Sequence, residues 1–119
     1  MNYKQYAKFI LSNDNITALT ADHKVYYQFA DNAAAPYVVY QFYDERNVLS
    51  AEGREVVTRY SIQIDIYSKS DYTNLEAVLK ETLGAAGWFK RSVFEDYDDK
   101  TKLFFKAMRY EFDIIQDPN

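Results

Sequence analysis

The amino-acid sequence predicts an α+β fold, in which two helices pack on one face of a largely antiparallel β-sheet. One stretch alternates apolar and polar residues with a period of two, and two stretches space their apolar residues as helices do. The strand-like stretches come in runs, with helices inserted at only two points, which is typical of α+β architecture. The predicted order is α-β-β-β-α-β-β, and the 119 residues fit one domain spanning residues 1–119.

The first predicted helix covers residues 2–13. Its apolar residues repeat at helical spacing, and the turn-forming run Asn13-Asp14-Asn15 ends it. Lys4 and Lys8 fall on another face of this helix. The apolar face consists of Tyr3, Tyr6, Ala7 and Ile10.

Three strands are predicted in the first half of the chain. Residues 24–29 are β-prone, and residues 37–43, which follow Pro36, are apolar or aromatic on both faces. Such a strand is covered on both sides, or is covered on one side and contacts a partner on the other. Residues 54–67 alternate most regularly. Their apolar face comprises Tyr60, Ile62, Ile64 and Ile66, and their polar face comprises Ser61, Gln63 and Asp65.

Residues 44–53 interrupt the strand pattern with four charges, a serine and Gly53. The sequence predicts a charged loop of about ten residues here, which exceeds the usual hairpin loop of about 2–5 residues. Long loops of this kind often carry function.

The second predicted helix follows Ser70 and Asp71, both good N-cap residues, and ends at Gly84 and Gly87. Its apolar stripe consists of Leu75, Val78, Leu79 and Leu83. Glu76 and Lys80 are expected to pair on its exposed side. Residues 88–97 and 101–115 then form a hairpin around the turn Asp98-Asp99-Lys100. Lys106 interrupts the apolar face of the last strand, which otherwise comprises Phe104, Met108, Tyr110, Phe112 and Ile114.

The overall charge excludes some classes of function. The chain has 18 acidic and 14 basic residues, for a net charge of −4. This charge argues against a general nucleic-acid binder but not against a protein that surrounds DNA without binding it tightly.

The absence of certain residues and segments excludes further classes. Without cysteine the chain has no disulfide, no thiolate zinc site and no Cys nucleophile. No apolar run approaches the ~20 residues of a membrane span, and the start of the chain does not read as a signal peptide. These features predict a soluble, intracellular chain.

We predict no catalytic, metal or cofactor site. His23, the only histidine, has neither triad nor ligand spacing around it. The acidic cluster Glu95, Asp96, Asp98 and Asp99 lacks the glycine and the spacing of a calcium loop. It is either a solvated hairpin end or a fixed negative edge that repels phosphates or meets a basic partner. A glycosidase-type carboxylate pair stays an open alternative, because the separation of carboxylates is a tertiary property.

Tyrosine is unusually abundant, with 12 residues in the chain. Buried tyrosine needs a partner for its hydroxyl, and tyrosine is enriched where proteins pack on one another. The set is interpreted in two ways: as the rims of a half-buried sheet, or as a second sheet face or edge that meets neighbouring subunits. Its members are Tyr26, Tyr27, Tyr37, Tyr40, Tyr43, Tyr60, Tyr67 and Tyr110.

Several of these stretches, in this order, carry a resemblance to a known family. They are Ala35-Pro36-Tyr37-Val38-Val39-Tyr40, the strand Ser61-Ile62-Gln63-Ile64-Asp65-Ile66-Tyr67-Ser68, the helix near Tyr72, and the run Tyr110-Glu111-Phe112-Asp113-Ile114-Ile115. Over residues 3–115 the chain resembles the tail terminator and tail-completion proteins of long-tailed phages and prophages. The strong segment at 24–29, with its double tyrosine, departs from that pattern.

The resemblance implies a structural protein of the virion, placed at the tail–head junction after assembly in the host cytoplasm. Relatives form a ring, commonly a hexamer, that caps the tail tube and joins it to the head connector. The implied partners are further copies of the chain, the tail-tube protein and the head connector or head-closure protein, with DNA passing through the lumen without specific binding and no membrane. The family has no catalytic residues and no cofactor to carry over.

Physical reasoning places the subunit or partner interface in three regions. These are the aromatic face of strand 37–43 (Tyr37, Tyr40, Tyr43), the charged loop (Asp44, Glu45, Arg46, Arg54) and the acidic hairpin (Glu95, Asp96, Asp98, Asp99). A small α+β module that binds a ligand or peptide is the alternative to the structural role.

Overall fold

A computed structural model describes residues 1–116. The elements are α1 (Tyr3–Leu11), α2 (Asp14–Thr17), β1 (Tyr26–Tyr27), β2 (Tyr37–Ala51), β3 (Arg54–Ser68), α3 (Thr73–Ala85), β4 (Phe89–Asp98) and β5 (Leu103–Ile115). The strands form a five-stranded sheet in the order β1-β2-β3-β5-β4. β1 runs parallel to β2, and the other neighbours are antiparallel. The predicted α+β fold is therefore confirmed.

The core lies between the helices and one face of the sheet. In β3 the predicted apolar face is buried, and Ile62, Ile64 and Ile66 are fully enclosed. Ile62 pairs with Tyr110 and Ile64 with Met108 across the β3–β5 ladder. Each large apolar side chain buried here contributes about 1.5–3 kcal/mol. The period-two pattern of β3 thus fixes which sheet face the helices cover.

Each helix contributes its apolar stripe to this core. Ala7 and Leu11 of α1 are buried, as are Leu75, Leu79 and Leu83 of α3. α1 begins with a capping box between Asn2 and Gln5. The stripes predicted from helical spacing therefore face the sheet.

The ends of the helices differ from the prediction in two places. The run at 13–15 does not end the helical region, because the Asn13 side chain accepts a hydrogen bond from the Asn15 amide and caps the further turn α2. At the start of α3 the N-cap residue is Tyr72. Asp71 still accepts a hydrogen bond, of 3.0 Å, from the Thr73 amide.

The strand predicted at 24–29 is much shorter in the structure. β1 is only Tyr26–Tyr27, because Gln28 adopts a φ of 70° and turns the chain out of the extended conformation. The Phe29 amide then bonds back to the Tyr27 carbonyl at 2.8 Å. β1 consequently covers only a small part of the outer edge of β2.

The charged loop predicted at 44–53 was wrong, because β2 and β3 continue as paired strands to Ala51 and Arg54. Glu52 and Gly53 form the two-residue connection, with φ values of 54° and 75°, the positive values that a tight hairpin turn requires. Backbone pairing needs no buried side-chain face, so the apolar alternation is absent here. We call residues 44–57 the arm; it contributes to a molecule 52 Å long and 26 Å wide.

Lys106, the exception in the apolar face of β5, is buried beneath α3. Its Nζ lies 2.9 Å from a Glu76 carboxylate oxygen and 3.4 Å from one of Glu95. Burial by itself lowers the pKa of Lys106, but the two carboxylates more than offset this, and the pKa is raised. Glu76 also pairs with Lys80 as predicted, but on a mostly buried side chain and not on the exposed side of the helix. The cluster ties α3 to β5 and β4.

Candidate assembly surfaces

A row of aromatic rings crosses the sheet face opposite the helices, which we call the helix-free face. Neighbouring ring centroids along the row lie 6.2, 4.9, 5.0 and 6.2 Å apart. The pairing Tyr37–Tyr67–Phe105 follows from the strand register, which places these residues opposite one another. We call the row the aromatic ladder; it takes one residue from each strand in sheet order, namely Tyr26, Tyr37, Tyr67, Phe105 and Phe94.

The ladder is half-buried and ends near acidic groups. Phe94 is 59% exposed, whereas the other four rings are partly covered by one another. Burial raises the pKa of Tyr37 and of Tyr67, and the nearby Asp98 carboxylate raises both further. The β4–β5 turn therefore lies close to this end of the face.

A band of arginines and carboxylates lies next to the ladder on the same face. It holds four of the five arginines of the chain, and we call it the arginine band. Glu111, only 5% exposed, is bound by Arg91, by Arg46 at 3.4 Å and by the Ser61 hydroxyl, which donates at 3.2 Å. Burial by itself raises the pKa of Glu111, but these cationic and hydrogen-bonding partners outweigh it, so the pKa is lowered.

The other two arginines of the band are also engaged. Arg59 donates two hydrogen bonds to Asp113, at 2.7 and 3.0 Å. Arg109 lies 4.8 Å over the Tyr43 ring and donates to Gln63 at 3.1 Å. Arginine beside aromatic rings is the composition typical of protein–protein contacts. Since the cations already have acidic, ring or amide partners, the band suits a protein surface better than a run of phosphates.

Both edges of the sheet have unpaired lengths. β4 is the last strand of the sheet, and all ten of its residues are exposed. At the other edge, β1 pairs with Val39 and Tyr40 alone, so the outer side of β2 from Gln41 onward has no strand beside it among residues 1–116. Open edges of this kind are available for contact with another chain.

The structure divides the predicted aromatic surface of strand 37–43. Tyr37 belongs to the aromatic ladder and Tyr43 lies beneath Arg109 on the helix-free face. Tyr40 is 5% exposed and packs against Tyr27 with centroids 5.2 Å apart. Because successive strand residues point to opposite faces, Tyr40 faces the core, and its placement on an exposed aromatic face is corrected.

The predicted loop residues all lie on the arm. Asp44 and Glu45 are exposed, and Arg46 belongs to the arginine band through Glu111. Arg54 pairs with Ala51 at the tip. Asp44, Glu45 and Arg46 therefore lie on a paired strand of the sheet, opposite β3 residues that also pair with β5, and Arg54 lies at the end of the two-stranded ribbon beyond it.

The predicted acidic hairpin also divides. Glu95 accepts a hydrogen bond of 2.8 Å from the Tyr72 hydroxyl and pairs with Lys106. Asp96, Asp98 and Asp99 lie at the exposed end of the hairpin, where Asp98 accepts a 3.0 Å bond from the Lys100 amide. We call these three residues the acidic turn.

Sequence reasoning missed a pocket of about 350 Å³ between α1 and β1. It is lined by Lys4, Gln5, Lys8, Val25, Tyr27 and Tyr40. The one signal in the sequence is the helical spacing of Lys4 and Lys8, which puts both on a single face. That they meet Tyr27 and Tyr40 there depends on tertiary packing.

Within residues 1–116, no group of three or more His, Asp or Glu side chains is arranged to hold a metal ion. His23 lies in an exposed turn with a φ of 56°. None of the described helices has the length and apolar character needed to cross a membrane.

Comparison with known protein families places part of the chain in one of them. A family model described as Tail completion protein gp17 matches residues 8–86, about two thirds of the chain, from the middle of α1 to the end of α3. No curated protein matches the sequence.

Proposed function

The chain belongs to the tail completion protein gp17 family, and from this premise we propose that it forms a ring that caps the tail tube and joins it to the head connector. Its role in phage tail completion makes it a component of the virion tail that contacts other head or tail proteins. The ring, the capping of the tail tube and the contact with the head connector go beyond what membership of the family implies, and they are the content of the proposal. We propose that residues 1–119 act in it as one domain, in a structural and not a catalytic capacity.

The observation that carries the proposal is the pair of open edges on one sheet. A rotational ring needs a head-to-tail contact, in which each subunit offers two different patches. The exposed β4 edge and the β1–β2 edge are different surfaces on opposite sides of the sheet. The helix-free face between them adds aromatic rings and arginines, which supports contact with protein on that side as well.

The arm supports a second contact, directed away from the ring neighbours. Its exposed apolar residues include Val48 and Leu49, which are 38% and 54% exposed. The exposed Asp44, Glu45 and Arg54 flank them. We assign the arm to the contact with the tail-tube protein or the head connector, since it projects beyond the helix-covered core.

The net charge of −4 supports a lumen through which DNA slides without being held, because an acidic surface releases no phosphate counterions on contact. Specific DNA binding has no part in the proposed role.

Two measurements test the proposal. Native mass spectrometry and negative-stain electron microscopy over a concentration series are expected to show closed rings, alone or on added tail tubes. A phage or prophage whose copy of this gene is deleted is expected to accumulate separate heads and tails, which the wild-type gene rejoins. Joined particles at normal yield without the gene would contradict the head-joining role.

A further inference from the structure

The pocket between α1 and β1 is lined by two tyrosines, one of them a mostly buried side chain. Tyr40 is 5% exposed; its hydroxyl makes no hydrogen bond within residues 1–116 and is accessible to solvent. The side chain lines the pocket together with Tyr27. A phenol so placed is a ready donor for an incoming carboxylate.

The rim of the same pocket is cationic. Lys4 lies 5.7 Å over the Tyr27 ring, and Lys8 follows one helical turn later. Neither lysine has a carboxylate partner within the described residues. Lys24, 4.9 Å over Tyr26, adds a third positive charge at this edge, whereas the nearby Asp22 already accepts a 2.6 Å hydrogen bond from Tyr26. The pocket and its rim therefore favour an anionic group.

The acidic turn lies at the opposite edge of the sheet and at nearly the same level. Register partners place Tyr26 of β1 and Phe94 of β4 in one row across the five strands. Asp96 is two residues beyond Phe94 on β4. The acidic turn therefore begins about 7 Å beyond this row along β4, at ~3.3 Å per residue.

We propose that the acidic turn of one copy of this chain docks in the lysine pocket of the next copy, with a carboxylate of Asp96 or Asp99 bound by Lys4, Lys8 and the Tyr40 hydroxyl. The contact is head-to-tail, because pocket and turn lie on opposite edges of each subunit, and its repetition about an axis along the strands closes a ring. This inference rests on the proposed ring and specifies which surfaces form it.

Charge reversal at each side provides the first test. A chain with Lys4→Glu and Lys8→Glu, and a second chain with Asp96→Lys and Asp99→Lys, should each assemble at least tenfold more weakly than wild type in native mass spectrometry. Mixed one to one, they should assemble again, because each altered patch then meets its altered complement. Lys69→Glu, an exposed lysine outside the pocket, the turn and both sheet edges, is the control, and circular dichroism checks the fold of every chain.

A second test uses the absence of cysteine from the chain. Lys8→Cys combined with Asp99→Cys should give a ladder of disulfide-linked oligomers on mild oxidation at high concentration. The control pair, Glu52→Cys with Asp99→Cys, should remain mostly monomeric. This measurement decides the question even where the wild-type chain associates weakly.

The outcomes separate the two proposals. Rings that persist unchanged in the charge-reversed chains, or cross-linking no stronger than in the control pair, overturn this contact and leave the ring itself standing. A chain that forms no ring alone or on tail tubes overturns the proposed function. A third variant, Tyr40→Phe, keeps the packing of the aromatic side chain and removes only its hydroxyl. It should weaken assembly severalfold if the hydroxyl binds the carboxylate.

Discussion

At the scale of single residues, Lys106 occupies a position where the alternation of β5 requires an apolar side chain. Its partners Glu76 and Glu95 come from α3 and β4, at 2.9 and 3.4 Å. Removing one member of a buried ion pair leaves the other charge poorly compensated, which costs more than the pair itself contributes. The cluster is therefore sensitive to single substitutions.

Lys106→Met should lower the free energy of unfolding by about 1–3 kcal/mol at pH 7, measured by urea unfolding. The folded pKa of Lys106 is raised, so its contribution is complete below its unfolded pKa and is lost as pH rises through the folded value. The pKa of Glu76 is lowered, so its contribution is lost as pH falls through acid values. The difference in unfolding free energy between Lys106→Met and wild type should therefore shrink at both low and high pH. Lys106→Met with Glu76→Leu should recover most of the loss, and a double variant as unstable as the single one would contradict this account.

The charge of Asp65 should destabilise the folded chain, whereas the charge of Lys106 stabilises it. Burial raises its pKa, and the Gln63 hydrogen bond and the Arg109 charge oppose this only in part. A raised carboxyl pKa means that stability falls as pH rises from the unfolded pKa through the folded one. Asp65→Asn should therefore stabilise the chain at pH 7 by about 1 kcal/mol, with no gain near pH 3. Equal gains at both pH values in urea unfolding would show that the charge is not the cause.

At the scale of elements, the arm depends on its two-residue turn. Glu52 holds a φ of 54°, which is strained for most side chains but accessible to asparagine. A Cβ on Gly53 would meet no atom within 4 Å, so any cost of substitution there is conformational.

Glu52→Asn should therefore increase the protection of arm amides in hydrogen exchange about two- to fivefold, and Gly53→Ala should reduce it by a similar factor. Exchange is the suitable measurement, because a two-stranded ribbon opens locally without global unfolding. Unchanged protection in both variants would mean that the turn does not limit opening of the arm.

The elements that could be predicted from sequence are those with one buried face. β3 and α3 show their periods because Ile62, Ile64 and Leu79 must face the core while their neighbours face solvent. The arm could not be predicted this way, since neither of its faces is buried and its pairing is made by the backbone. β1 was predicted too long because residues 24–29 are β-prone, whereas the φ of Gln28 is set by its surroundings.

At the scale of the whole molecule, the arm and the core are separable. No residue of 44–57 belongs to the core cluster between the helices and the sheet. Asn47 and Thr58 are register partners, so an Asn-Gly turn in place of residues 48–57 would close the hairpin and keep the β2–β3 pairs from Asn47 and Thr58 inward. Of the β3–β5 pairs, it would remove only Val57 with Ile115.

This shortened chain should keep its far-UV circular dichroism and cooperative thermal unfolding, and should fail to join tails to heads in complementation. Glu52→Asn in the full-length chain is the matched control, since it changes the turn and keeps the arm. Joining at the wild-type level by the shortened chain would exclude the arm from the contact with the tail tube or the connector.

The candidate surfaces show the same division between what local sequence encodes and what the fold assembles. The acidic turn is contiguous in sequence and could be identified from it. The aromatic ladder draws one residue from each of five strands, and the lysine pocket combines α1 with β1 and β2. Their components were visible in the sequence as separate tyrosines and lysines, but their grouping follows from sheet order and register.

The single tryptophan provides the chain with an optical reporter of its own folding. Trp88 is 5% exposed, stacks on Phe112 at 4.6 Å and donates to the Tyr6 hydroxyl at 3.0 Å, all on the helix-covered side. Selectively excited indole fluorescence should therefore follow unfolding and stay nearly constant when subunits associate. Tyrosine emission and near-ultraviolet dichroism should respond to association, because Tyr27 and Tyr40 line the pocket that the acidic turn enters. One unlabelled sample therefore distinguishes unfolding from subunit association.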